Sequence, residues 1–316
     1  MDNVKGNAAA FKSPEGKATY LAAYDAALKL WPVPYEEIDI QTPFGTTHVV
    51  VSGPKEAPPL VLLHGYMATS AMWSPNMIDF CRDHRVYAID TMGQPSKSVP
   101  SEPVRSVADY VAWLTATLDG LHVRRIALAG MSFGGWLALN YAVAAPERVQ
   151  KLVLLSAGGF LPIARQFSLR GMLMVFFPTR FSVNSFMHWA GFTDGPGQSD
   201  ALPVLNLMYF GMKHFRMPPD TLRVAAGPLS DDQLRGLSVP VLFLMGENEV
   251  LYDAATALAR ARRLISDFQG ELVPHCRHDM CFSQHRLVDA RVLEFLERTQ
   301  NVRTTRQDVL LSGLRA

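Results

Sequence analysis

The run Ile126-Ala127-Leu128-Ala129-Gly130-Met131-Ser132-Phe133-Gly134-Gly135-Trp136 sets four apolar residues against a Gly-x-Ser-x-Gly turn, and a helix-like segment follows to Ala145. The bare five-residue string is weak, since it recurs by chance in chains of this length. Its position between a strand and a helix is what carries information. On such a turn the serine backbone is strained, its neighbours must be small, and the hydroxyl is lifted clear of the sheet. Ser132 is therefore expected to face a substrate. A glycine-rich turn that merely packs helix on strand is the competing reading.

Outward from this turn, short apolar runs at 60–63, 86–89, 126–129, 152–155, 241–245 and 271–273 have the character of strands buried on both faces. Helical patterns lie between or after them at 107–118, 135–144, 253–265 and 286–298. The alternation predicts an α/β fold with a mostly parallel sheet flanked by helices. Segments 35–41 and 46–52, joined around Pro43-Phe44-Gly45, read as an antiparallel pair. A leading helix is expected over 14–30, with Ser13 as N-cap, Pro14 at its first position and a stop before Trp31-Pro32. Residues 159–236 break the pattern, being rich in Phe, Met and Leu with no clear strand. They are expected to form an inserted helical cap on a core made of 1–158 and 237–316; ordinary core helices are the alternative. The arginine-containing segment 301–316, without an aromatic, reads as a solvated tail or marginal helix.

The 316 residues, 48% hydrophobic and 19% charged, are enough to bury a large core. Thirty basic against 29 acidic side chains leave a net charge of +1, so bulk electrostatics draw neither nucleic acid nor an anionic membrane. No apolar run approaches the roughly 20 residues of a membrane span, and the first residues lack a signal-peptide pattern. Cys81, Cys276 and Cys281 are too few, and odd in number, for a disulfide framework. The expectation is a cytoplasmic protein acting on a small molecule, with oligomeric state left open.

Strand-Gly-x-Ser-x-Gly-Gly-helix resembles the nucleophile elbow of the α/β-hydrolase superfamily. Three further stretches add to the likeness: His64-Gly65 after Leu60-Val61-Leu62-Leu63, with Trp73 beyond; the turn within 87–98; and Pro146-Glu147-Arg148-Val149. The likeness covers about residues 35–158 and 237–298. Pro95 departs from it, standing where the turn normally has a second glycine, and the serine that follows is displaced by one residue. Within the superfamily the chain is most similar to bacterial carboxylesterases. The resemblance implies an eight-stranded, mostly parallel sheet and a triad in the order nucleophile, acid, histidine.

A serine hydroxyl needs a neutral imidazole to take its proton. Val273-Pro274-His275-Cys276-Arg277-His278 supplies two candidates, and the resemblance favours His278, with Arg277 replacing the family's glycine. His275, Cys276, His278 and Cys281 can also be read as metal ligands, but four in seven residues lack the separated pairs of structural zinc sites. No metal or organic cofactor is expected. The family pattern Gly-x-x-acid after 241–245 lands on Glu249, with Glu247 and Asp253 as alternatives. The acid would fix the imidazole tautomer and stabilise the imidazolium. The amides of Tyr66 and Phe133 are the implied oxyanion hole. His64 and Asp90 are read as structural.

This set implies attack by Ser132 on an ester carbonyl, an acyl-enzyme, and its hydrolysis. Serine at the elbow argues against epoxide hydrolases and haloalkane dehalogenases, which carry aspartate there. Thioesterase, lactonase, carbon–carbon bond hydrolase or perhydrolase activity, or ligand binding without turnover, remain as alternatives. Phe160, Phe167, Met172, Met174, Phe176, Phe177, Phe181, Phe186, Met187 and Trp189 suggest an apolar acyl or aryl pocket, or else packing on the core.

Overall fold

The computed structural model describes residues 10–192, 201–217, 221, 224 and 227–298. The segment 301–316 lies outside these residues. In chain order the strands are β1 (Ala10–Phe11), β2 (Tyr35–Thr42), β3 (Gly45–Ser52), β4 (Pro59–Leu63), β5 (Arg85–Ile89), β6 (Val99–Pro100), β7 (Ile126–Met131), β8 (Val149–Leu155), β9 (Phe215–Arg216), β10 (Val241–Gly246) and β11 (Phe268–Val273). Eight of them follow the order β11-β10-β8-β7-β4-β5-β3-β2, and the two-residue β6 pairs with β3. Among the described residues the main sheet thus has nine strands, one short strand more than the eight expected.

The run from β11 to β5 is parallel, whereas β3 pairs antiparallel with β5, β2 and β6. Because side chains alternate along a strand, the apolar runs feed two cores at once. Leu60, Leu62, Ala129, Val153 and Leu244 pack on one face with Tyr24, Phe80 and Val288. Val61, Leu63, Leu128, Leu154 and Phe243 pack on the other with Trp113 and Leu139. The runs could be read as strands because they are apolar on both faces. Strand β11 starts at Phe268, three residues before the apolar run, because its half-exposed first residues lack that signature.

The leading helix α1 (Pro14–Leu28) starts as expected, with the Ser13 side chain accepting from the Gly16 N–H at 3.0 Å and Pro14 in the first turn. The helices α2 (Met77–Asp83), α3 (Val107–Gly120) and α4 (Phe133–Ala144) follow. Between β8 and β10 lie α5 (Arg165–Phe176), α6 (Arg180–Trp189), α7 (Ala201–His214) and the short helix Asp231–Arg235. Among the described residues this interval adds no strand to the main sheet. Its β9 instead pairs antiparallel with β1, and Lys12 N–H donates to the His214 carbonyl at 2.7 Å. The amino-terminal segment therefore braces the end of α7. Two residues carry no periodicity, so this pairing had no local signal. The helices Ala254–Leu264 and His285–Glu297 complete the layers. Among the described residues no helix is long and apolar enough to cross a membrane.

Candidate active site

Ser132 lies between the last residue of β7 and the first of α4, with φ 54° and ψ −113°. Such a backbone costs a non-glycine residue about 1–3 kcal/mol and persists only where its surroundings enforce it. Here the Ser132 N–H donates to the Leu155 carbonyl at 2.9 Å, and its own carbonyl accepts from Gly158 and Trp136. The motif glycines are demanded by close approach. A Cβ on Gly134 would run into the Leu63 and His64 carbonyls, and one on Gly130 into the Gly134 backbone.

The structure brings His278 and Glu249 to this serine. His278 Nε2 lies 2.8 Å from Ser132 Oγ, and His278 Nδ1 lies 2.8 Å from Glu249 Oε1. Glu249 Oε1 also accepts from the N–H groups of Val250 and Leu251 at 2.8 and 2.9 Å, and its Oε2 accepts from the Ser156 hydroxyl at 2.5 Å. The carboxylate side chain is fully buried. Burial, the largest influence on its pKa, raises it. The charge of His278 and hydrogen bonds from His278, Ser156 and Leu251 more than offset this, holding the pKa below the ordinary 4.5. A carboxylate so supplied with donors stays ionised and fixes Nδ1–H on the ring, which leaves Nε2 to accept from serine.

The alternative residues occupy other places. Glu247 is exposed and accepts from the His275 N–H at 3.2 Å. Asp253 caps the helix Ala254–Leu264, accepting from Thr256 N–H at 2.7 Å. His275 is exposed, in a turn with φ 56°. Among the described residues no three of His, Cys, Asp and Glu converge as metal ligands. The Cys276 thiol, pushed up to about 12 by burial, points to the Val273 carbonyl. Arg277, next to His278, sends its guanidinium to the Trp189 carbonyl at 2.7 Å, and the His278 N–H donates to the Ala190 carbonyl at 3.0 Å. The histidine loop is thus tied to the end of α6.

His64 is buried between two backbone groups. Its Nε2 accepts from Thr91 N–H at 2.9 Å, so the proton sits on Nδ1, which donates to the Gly65 carbonyl at 2.8 Å. Burial lowers its pKa against the opposing effects of Asp90 and of the Gly65 hydrogen bond, which agrees with a neutral ring. The Met67 N–H donates to Gln94 Oε1 at 3.0 Å, holding the same loop from its other side. Gly65 lies so close that a Cβ on it would stand 3.7 Å from Ser132 Cβ. Tyr66 and Phe133 follow Gly65 and Ser132 in the chain, and Phe133 opens α4, where N–H groups lack intrahelical partners. Asp90 accepts from Ser70 N–H, Ser70 Oγ and Lys97 N–H, closing the turn, and the Pro95 carbonyl takes the Tyr20 hydroxyl at 2.6 Å.

A cavity of about 320 Å³ opens over Ser132 and His278. Phe167, Met174, Phe186 and Met187 line it, as the composition of 159–236 suggested. Phe160 does not, being stacked on Phe243 with ring centroids 4.4 Å apart. Met172, Phe176, Phe177 and Phe181 face solvent instead. Ser156 was missed by the sequence reading. Its only signal was a hydroxyl placed directly after the apolar run of β8.

A family model described as the alpha/beta hydrolase fold matches residues 58–284. An uncharacterized carboxylesterase of Bacillus subtilis, nap, is 33% identical over 277 residues, 87% of this chain and 91% of its own. Carboxylesterase YbfK of the same organism is 33% identical over 297 residues, covering 90% and 96%. The solved structure of naproxen esterase (carboxylesterase NP) from Bacillus subtilis superposes with TM-score 0.83 at 32% identity, over 90% of this chain and 99% of that one.

Proposed function

Since the chain belongs to the α/β-hydrolase fold family, we propose that it is a carboxylic ester hydrolase in which Ser132 is the nucleophile, His278 the general base and Glu249 the orienting acid. The observation that carries this reading is the single imidazole placed 2.8 Å from both Ser132 Oγ and Glu249 Oε1. Ser132 Oγ attacks the ester carbonyl as its proton passes to His278 Nε2. The oxyanion that forms is held by the Tyr66 and Phe133 amides, each worth about 2.7–4 kcal/mol where such donors have been removed. His278 returns the proton to the leaving alcohol, and the acyl-enzyme remains. Water then gives its proton to His278, its oxygen joins the acyl carbon, and Ser132 Oγ recovers the proton as the acid departs.

The substrate in this proposal is an ester of an apolar or aryl acid. The cavity over Ser132 has apolar walls, and a relative of similar length bears the name naproxen esterase. The described lining contains no Arg or Lys. A dienoate with a free carboxylate, the substrate type of carbon–carbon bond hydrolases, would be buried there without a cationic partner. Residues 159–236 serve as the cap, since α5, α6 and α7 together line the cavity that opens over the serine. Cytoplasmic residence is part of the proposal, supported by three buried, unpaired cysteines.

The test is intact-mass analysis after treatment with a fluorophosphonate, followed by peptide mapping. One adduct per chain, on Ser132, is expected, and Ser132→Ala should abolish both labelling and turnover. Well-folded protein that takes no adduct would overturn the proposal.

A further inference from the structure

Helix α5 is apolar on two opposite sides. Phe167, Gly171, Met174 and Val175 face the cavity. At 100° per residue, Leu169, Met172, Leu173 and Phe176 fall on the other side. An apolar helix face is normally turned to a core. This one is not: Leu169 is 65% exposed and Phe176 70%, and the ridge continues past the helix end through Phe177 at 65% and Phe181 at 83%. Four large side chains this open within thirteen residues exceed the scattered apolar exposure of an ordinary surface.

The charged side chains of the ridge's own segment have one sign. Residues 159–192 contain Arg165, Arg170 and Arg180 and no Asp or Glu. All three arginines are exposed. Arg170 lies over the Trp189 ring, and Arg180 lies over Tyr209 and donates to Asn206. Neither meets a carboxylate among the described residues. The chain-wide charge of +1 therefore hides a segment whose own charges are all cationic, with Asp279, buried, in the groove beside Arg170.

Two-fold pairing of this face with a second copy would set each copy's arginines against the other's with no acid in the segment to separate them. An anionic amphiphile surface suffers no such conflict, because apolar side chains enter the acyl boundary while arginines meet headgroups. We propose that the α5–α6 ridge is a peripheral docking surface for an anionic lipid–water interface, and that it sets the apolar cavity, which shares α5 as its wall, against that interface. The docking needs no turnover and stands apart from the ester-hydrolase reading.

Flotation of the full chain with vesicles tests this. Phosphatidylcholine vesicles containing a quarter phosphatidylglycerol should bind at least about tenfold more tightly than pure phosphatidylcholine, and added salt should weaken the binding. The variant Phe176→Gln/Phe181→Asp should lose binding by about tenfold or more while its kcat/KM for a soluble short-chain ester is unchanged. Asp at 181 falls in the first turn of α6, where a negative charge is favourable, so folding is not threatened there. Absence of flotation with the anionic vesicles, or equal binding to neutral ones, would overturn the proposal. So would light scattering that shows a dimer which the double variant dissociates, since the ridge would then be a subunit interface.

Discussion

Replacing Glu249 by glutamine keeps the shape of the side chain and removes its charge, and the donors around it determine how the amide sits. Oε1 receives three donors, from His278 Nδ1 and the N–H groups of Val250 and Leu251, while Oε2 receives the Ser156 hydroxyl. An amide NH2 at the Oε1 position would face two fixed backbone N–H groups. The carbonyl oxygen therefore takes that position, and the NH2 faces Ser156, whose hydroxyl can rotate to accept. His278 keeps its tautomer, and the loss is confined to the counter-charge for the imidazolium. At an effective dielectric constant near 20, opposite charges about 4 Å apart attract by about 4 kcal/mol, which corresponds to a fall of about 10³-fold in kcat/KM. Glu249→Ala leaves several buried donors unmet and the ring free to turn, and should cost about 10⁴-fold or more. The assay is kcat/KM for an aryl ester, corrected by active-site titration. A glutamine variant within tenfold of the parent would refute the role of the charge, and one as poor as the alanine variant would refute the reasoning about its orientation.

Ser156→Ala removes the donor to Glu249 Oε2. A hydrogen bond to a charged group contributes about 1.5–3 kcal/mol, so kcat should fall about ten- to a hundredfold with KM little changed, as steady-state kinetics would report. Met208→Trp places a larger side chain in the cavity wall; kcat/KM across a series of acyl lengths should fall at least about tenfold for long or aryl acids and little for acetate. Asp289 is fully buried, and burial raises its pKa from 3.8 to about 8, with Asn76 Nδ2 donating to its Oδ1 at 2.7 Å. The folded state thus keeps a proton that the unfolded chain releases, and stability should fall as pH rises from about 4 to 8. Asp289→Asn should flatten that fall, as urea midpoints measured across this range would reveal; an unchanged slope would mean that Asp289 is ionised in the fold.

Much of the site was legible because its parts are local. The strand β7, the Ser132 turn and α4 announce themselves within eleven residues, since each depends on side-chain periodicity or on space for a single Cβ. The acid was narrower in type than in position. Glu247, Glu249 and Asp253 all follow β10 within seven residues, and only the path of the loop turns Glu249 inward, leaving Glu247 exposed and Asp253 capping a helix. Arg277 gave no reading by itself, because its partner is the Trp189 carbonyl, 88 residues earlier in the chain.

The aromatic content of 159–236 likewise predicted an apolar wall, but it could not tell Phe167, which lines the cavity, from Phe160 in the core or Phe181 in solvent. Nor could it show that β1 holds β9, or that Ser156 serves Glu249. By itself the sequence determined the order of strands and helices, the strained turn at Ser132 and the kinds of group available to it. Tertiary structure alone decided which histidine meets that serine, which carboxylate meets that histidine, and which face of each helix between β8 and β10 is covered. The division has one physical cause. Backbone conformation answers to neighbours a few residues away, whereas burial and hydrogen-bond partnership answer to whatever the fold brings across from distant parts of the chain.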